Sequence, residues 1–446
     1  MTKHKTPKSL ATNRKAEEDV IPQKAKVILE IPHELKDLGV SWQTITSCCS
    51  TSSISRETAN AMITKLTSVT GQLRKFIELG FNIKNFSSIL NGIGAKTFNT
   101  GVDYLLRDET LDALTLLIGK DQFTPQNISS MLNGSRANIA QAIKALTDGK
   151  ETLLALIGKD KFAPQNISSI LSGAGANIAE AINALTTGKE ALLALIGKNK
   201  FAPKNISSML HGSRANIAQA IKALTDSKEA LLALIGKDKF SSENISSMLS
   251  GAGANIAEAI HALAEGKEAL LALIADGKFT PQNISSMLNG AGANIAGSIN
   301  ALAERTEALL ALIGKDKFTP KNISSMLHGA GANIAEAIHA LAEGKEALLA
   351  LIADGKFTPK NISSMLHGSG ANIAEAIAQL TAAAPKLIEL AQCFNVNMET
   401  ITGRFVSAGI HLLEQVEKFY EQKDTLLKAF SCTLSGEMVE QPCEAQ

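Results

Sequence analysis

The chain has 446 residues, 45% of them apolar and 4% aromatic, with a formal net charge of +1. That is enough apolar material for a sizeable core, and the near-neutral balance exerts no global pull toward nucleic acid, membranes or acidic substrates. Ala, Leu, Ile, Lys and Glu dominate while aromatics are scarce, a composition that favours helix.

Residues 1–35 are polar and mildly basic, lack the apolar core of a secretory signal, and are expected to form a disordered tail. Over 36–122 two faint matches to a later pattern occur, "GVSWQTITSCC" from Gly39 and "GFNIKNFSSILNG" from Gly80 to Gly92. They are expected to be degenerate capping repeats. The regular array fills 123–393, with units starting at Phe123, Phe162, Phe201, Phe240, Phe279, Phe318 and Phe357, 39 residues apart. "FNVNMETITGRFVSAGIHLLEQVEKF" from Phe394 is expected to close the far end as a degenerate unit over 394–431. Residues 432–446 form an acidic, unstructured tail, a candidate export signal of the glutamate-rich bacterial type. A fixed period of this length marks stacked supersecondary units, each unable to bury its apolar face alone. The expected fold is all-α, a superhelical solenoid of tandem 39-residue helical repeats with degenerate capping repeats at both ends.

Within a unit, "FTPQNISSML" reads as a short helix, with Thr124 as N-cap and Pro125 at the first helical position. Ile128, Met131 and Leu132 fall on one face. "ANIAQAIKAL" is a second helix with Ile139, Ile143 and Leu146 as its buried stripe. Asn138 with Gln141 has the layout of a capping box, repeated by Asn177 with Glu180 and Asn216 with Gln219. "DGKETLLALIG" either continues that helix after a kink at Gly149 or starts a third; the unit around Arg305, without glycine there, favours the kink. Gly158 suits a C-cap. The pair Ser129-Ser130, present in every unit, is expected to face solvent or cap locally.

Numbering each unit from its Phe as position 1, the turn between the helices holds the variation. Position 12 is always glycine: Gly134, Gly173, Gly212, Gly251, Gly290, Gly329 and Gly368. A constant glycine points to positive φ or a close approach. Position 11 reads Asn133, Ser172, His211, Ser250, Asn289, His328 and His367. Positions 13 and 14 are Ser135-Arg136 and Ser213-Arg214 in the first and third units, Ala-Gly or Ser-Gly elsewhere. Loops drift where packing leaves them free, but Lys, Glu and Asp, common on nearby surfaces, are absent from these positions. The alternative is a ladder of recognition residues, one rung per unit.

The unit "FTPQNISSMLNGSRANIAQAIKAL" resembles the repeats of the TAL effector-like family of modular DNA-binding proteins, particularly divergent bacterial members. The likeness spans roughly Phe81 to Cys393 plus the degenerate ends. It implies a short helix, a glycine-containing loop whose two variable residues address one base pair in the major groove, and a longer kinked helix. Gly149 stands where the family bends its second helix with proline. Two departures matter: units here are longer, and the alignment of the variable pair is ambiguous. With positions 11 and 12 as the pair, every pair ends in glycine and discriminates little; with positions 13 and 14, Arg136 and Arg214 are placed to read guanine.

The implied partner is double-stranded DNA, bound by a monomer, in a bacterial cytoplasm or nucleoid or, for a secreted effector, a host nucleus. The first three units are net positive and the fourth net negative, a weak charge for phosphate neutralisation. Free N–H groups at the second-helix N-termini are expected to compensate. Lys144 and Lys222 alternate with Asn183, His261 and His339 on a solvated face. Trp42, the only tryptophan, is expected to pack, although the family uses a tryptophan near the first base. The rival class is a protein-binding α-solenoid of HEAT or armadillo type, which varies along helix faces rather than loops.

The five cysteines, Cys48, Cys49, Cys393, Cys432 and Cys443, lack C-x-x-C spacing and are odd in number, so neither a disulfide framework nor zinc is indicated, and a reducing compartment is expected. No apolar run approaches the roughly 18 residues of a membrane span. The eight histidines are spread through the repeats rather than grouped, and no nucleophile elbow or phosphate loop occurs. No catalysis, cofactor, metal or small-molecule substrate is expected.

Overall fold

The computed structural model describes residues 30–49, 54–289, 291–328, 330–353 and 355–428. The proposed tails 1–35, apart from 30–35, and 432–446 lie outside the described residues, as do Gly290, Gly329, Cys432 and Cys443. The described residues form an all-α chain whose helices pack in sequence order, first helix on first helix and second on second. Isolated bridges such as Ile157 with Phe162 are the only β pairing among them. No described helix is long and apolar enough to cross a membrane.

The first helix of a unit runs Pro125–Leu132, with the Thr124 hydroxyl accepting from the Asn127 N–H while Asn127 Oδ1 accepts from the Thr124 N–H at 3.0 Å. Where Ala163 replaces the threonine, Asn166 Oδ1 still holds its N–H at 2.9 Å. Ile128, Met131, Leu132, Ile139, Ile143 and Leu146 are all buried, as the periodicity predicts, and Phe123 closes the core. The second helix is continuous over Ile139–Leu156 and Ile178–Leu195. Later it is interrupted at one residue, position 27: Ser227, Gly266, Arg305 and Gly344. At Arg305 the ladder survives, since its N–H bonds the Ala301 carbonyl and Leu309 N–H bonds the Arg305 carbonyl, each at 3.0 Å. The interruption is thus a kink. Glycine does not cause it, because Gly149 and Gly188 lie in unbroken helices.

Gly158 follows the helix in a tight turn: its N–H reaches the Phe162 carbonyl at 3.2 Å, and Phe162 N–H reaches the Leu156 carbonyl at 3.1 Å. Asp160 takes φ 61° there, and Asp121, Asn199, Asp238 and Asp316 do likewise. Asp and Asn are the side chains that best tolerate this region. Gly277 and Gly355 fill the same position.

Three expectations need correction. Asn138 makes no capping hydrogen bond; its amide donates instead to the Ala176 carbonyl of the next unit at 3.0 Å. Asn177 to Ala215 (3.1 Å), Asn216 to Ala254 (3.0 Å), Asn255 to Ala293 (3.3 Å) and Asn294 to Ala332 (2.9 Å) repeat the link. The first serine of the Ser-Ser pair is likewise internal in most units, Ser324 being only half-buried: Ser129 is fully buried, and Ser168 and Ser207 donate to the Asn127 and Asn166 carbonyls of the preceding unit at 3.1 and 3.2 Å. These ladders explain why the scaffold is copied so closely, since each polar residue answers to a neighbour's backbone. Asn216→Ala is expected to lower stability by about 1 kcal/mol, the net worth of one such bond, measured as a shift in urea midpoint.

The third correction is the register of the last unit. Phe394 ends the helix Ile373–Cys393 as its C-cap. The pattern resumes at Val396, 39 residues after Phe357, with Asn397 as N-cap of Met398–Thr402. Glu389 ties this unit to its predecessor by accepting from Lys423 at 2.8 Å and from the Tyr420 hydroxyl. At the other end, Ser41 and Asn82 cap Trp42–Ser47 and Ile83–Ile89 with the same box. Trp42 itself is 37% exposed at the first helical position. Cys48, Cys49 and Cys393 are free thiols, and burial pushes Cys48 up to about 12.

Candidate nucleic-acid interface

The first helix ends at Leu132 in the first unit but runs on to Ala174 and Gly212 in the next two; in each, positions 14 to 16 form a 3-10 turn (Arg136–Asn138, Gly175–Asn177, Arg214–Asn216), and the second helix starts at position 17. Position 13 is buried in six units: Ser135 and Ser213 have no exposed surface, and Ala174, Ala252, Ala291 and Ala330 are nearly as closed, while Ser369 in the seventh is half-buried. The Ser135 hydroxyl is spent on the Leu132 carbonyl at 2.7 Å and that of Ser213 on the Met209 carbonyl at 3.4 Å. Both were expected to be readout residues; both are structural.

Position 14 is where the backbone is special. Arg136 (φ 48°), Gly175 (55°), Arg214 (51°), Gly253 (55°), Gly292 (56°), Gly331 (55°) and Gly370 (51°) all take positive φ. Gly94 (79°) and Gly409 (50°) extend the series into the flanking units. At Gly175, ψ is −123°, the first corner of a type II′ turn, for which glycine is the natural residue. Five units obey that preference and two do not. An arginine held at positive φ costs roughly 1–2 kcal/mol relative to ordinary backbone.

Position 12 behaves otherwise. Gly134 (φ 91°) and Gly368 (φ 78°) use glycine's freedom, but Gly173 and Gly212 are helical and Gly251 has φ −81°. At Gly173 and Gly251 close approach restricts the position, whereas a Cβ on Gly134 or Gly212 would meet only ordinary contacts and one on Gly368 would meet open space. A Cβ on Gly173 would lie 3.2 Å from the His211 carbonyl, and one on Gly251 would lie 3.3 Å from Gly292 Cα. Successive loops therefore stack backbone against backbone.

The side chains leaving this edge belong to positions 11 and 14. Asn133, His211, Ser250, Asn289 and His328 are exposed, while Ser172 and His367 are half-buried. Arg136 and Arg214 are exposed and make no hydrogen bond or ion pair among the described residues. His211 Nδ1 meets the Ser169 carbonyl at 2.8 Å and His367 Nδ1 meets that of Ser325 at 3.1 Å, each in the preceding unit. The rings of His328 and His367 stack with centroids 5.5 Å apart. Around Arg214 the edge opens into a cavity of about 680 Å³ lined by His211, Ser250 and the loop glycines.

Two of the N–H groups expected to make an anion site at the N-terminus of Ile139–Leu156 are already engaged. Asn138 N–H bonds the Ser135 carbonyl at 2.9 Å and Ile139 N–H bonds that of Arg136, so the entering turn consumes these donors. Glu180, Glu258, Glu336 and Glu375 also occupy first turns of second helices. Lys144 and Lys222 are exposed and paired with Asp148 and Asp226 at 2.6 Å, a solvated face as expected. His339 differs: it is half-buried and accepts from Arg305 Nε at 2.9 Å, joining two units.

Comparison with protein-family models, curated proteins and solved structures returns no match.

Proposed function

We propose that this chain is a solenoid of 39-residue helical units, with degenerate units at its ends, that binds double-stranded DNA along its loop edge, one unit to one base pair. The observation that supports it best is that variable, outward side chains recur at positions 11 and 14 of loops that meet their neighbours in backbone contact, although position 22 of the second helix varies too. A bacterial effector or microbial regulator of transcription, as the family resemblance implies, is the setting proposed for it.

A protein-binding scaffold of HEAT or armadillo type is the second reading, favoured by Glu180, Glu258, Glu336 and Glu375, which place acid where phosphates would approach. Selection of duplexes from a randomised library, followed by affinity against salt, separates the two. DNA reading predicts an enriched motif of about one base pair per unit and a shallow log–log salt slope of roughly −2 to −4, because few cations line the edge. Absence of duplex binding at low salt favours the scaffold.

A further inference from the structure

We infer that the seam between the fifth and sixth units is a pH-responsive clasp: Arg305 holds His339 only while the imidazole is neutral, and protonation exchanges that bond for two separate ion pairs. The clasp stands independently of the loop-edge reading. Position 27 of one unit meets position 22 of the next at two seams, Arg305 with His339 and Ser227 with His261. At the other four junctions of the array position 27 is Gly149, Gly188, Gly266 or Gly344, and the following unit has Asn183, Lys222, Asn300 or Ala378 at position 22. Histidine therefore stands opposite a side chain and never opposite glycine. A Cβ on Gly149 would lie 2.8 Å from Ile182 Cγ2, and one on Gly344 would lie 2.8 Å from Ile377 Cδ1. A side chain at this position has to be accommodated across the seam.

Arginine only donates and keeps its charge throughout the range in which proteins are folded. Its Nε–H reaches His339 Nδ1 at 2.9 Å, so that nitrogen carries a lone pair and the ring proton sits on Nε2. Protonating Nδ1 sets two donors, and two cations, face to face. The alternative partners are already in place. Glu304 Oε2 lies 3.9 Å from His339 Nε2, and Glu343 Oε1 lies 3.9 Å from the Arg305 guanidinium. Glu336 is the other charged group on the helix of His339, Ile334–Glu343. The adjoining short helices bring Glu307, Lys321 and the mutually paired Lys345 and Glu346. The following second helix brings Glu375, with Lys386 and Glu389 engaged by Glu417 and Lys423. None of these bonds or pairs with the ring among the described residues. The clasp is therefore closed on the alkaline side of histidine titration and opens on the acid side. Arg305 stands between Ile295–Glu304 and Thr306–Leu312, so the exchange acts where the second helix bends. Ser227 gives the contrast. Its hydroxyl lies 3.5 Å from His261 Nδ1 and turns to donate or accept, serving either state of the ring.

Hydrogen exchange of the full chain tests this through a double-mutant cycle. Arg305→Gly with His339→Ala reproduces the pairing that Gly344 and Ala378 already have, so the double variant is compatible with the fold. At about pH 8, where histidine is ordinarily neutral, each single variant should lower protection factors over residues 300–312. The expected loss is about threefold to tenfold, the scale of one half-exposed hydrogen bond to a charged group. The double variant should lose less than the two losses multiplied, the mark of coupling. At about pH 5, where histidine is ordinarily charged, the coupling should vanish or change sign. A parallel cycle of Ser227→Gly with His261→Ala should give the same value at both. Equal coupling at the Arg305 seam on both sides would overturn the inference, as would its absence on the alkaline side. Imidazole nitrogen NMR shifts of the parent chain need no variant: His339 Nδ1 is expected to be unprotonated at about pH 8, and a proton on it there would overturn the clasp as well.

Discussion

Phe201→Ala is expected to destabilise the protein by about 3–5 kcal/mol, the usual cost of emptying an aromatic site in a closed core. Phe201 has no exposed surface, and its N–H anchors the preceding turn through the Leu195 carbonyl at 3.0 Å. The damage should be local. Each unit packs mainly on its immediate neighbours, so cohesion is close to a sum of unit and nearest-neighbour terms. Urea unfolding followed by helical signal should broaden or split. Hydrogen exchange should show protection lost first around residues 162–240, with the ends retained. A single sharp transition merely shifted to lower urea would mean that the array unfolds as one body.

Gly188→Ala should be destabilising by about 1–3 kcal/mol, opposite in sign to ordinary expectation. In an exposed helix interior, alanine for glycine gains up to about 1 kcal/mol. Here the added Cβ would stand 2.9 Å from both Ile221 Cγ2 and Thr225 Oγ1 of the next unit. Both neighbours are β-branched and stiff, and the Thr225 hydroxyl is held by the Ile221 carbonyl at 2.9 Å. Relief requires the two second helices to move apart, which overpacking penalties place at the range given. A denaturation midpoint equal to or above that of the parent would show that the units have slack between them. Gly149→Ala meets Ile182 Cγ2 at 2.8 Å and should behave alike.

The contrast between what was legible and what was not follows the range of the interactions. Thr124-Pro125 and the spacing of Ile128, Met131 and Leu132 encode a helix within a few residues, so they could be read directly. Asn138 could not be. Its sequence context is that of a capping box, and only the 3-10 turn before it shows that the local donors are already satisfied, sending the amide to Ala176. Ser129 and Gly173 have partners in the adjoining unit, and periodicity says what recurs, not what touches; at position 13 the partner is local, the Leu132 carbonyl for Ser135 and the Met209 carbonyl for Ser213. The sequence signal for the turn is the glycine at position 14 in five units, rather than the invariant glycine at position 12. At the C-terminal end Phe394 imitates the opening phenylalanine, whereas the N-cap Asn397 sets the true register. Among the proposed rungs, positions 11 and 14 survive as surface features and position 13 does not.

The two hydrogen-bonded ladders, asparagine to alanine carbonyl and serine to asparagine carbonyl, also bear on inheritance. Each of these asparagines finds its acceptor in the next unit and each of these serines in the preceding one, at an equivalent place in each copy. A crossover between two such copies that adds or removes 39 residues therefore leaves no unmatched donor inside the array. Unequal recombination is then nearly silent for folding, and the number of rungs, hence the length of what the protein recognises, can change in a single genetic event.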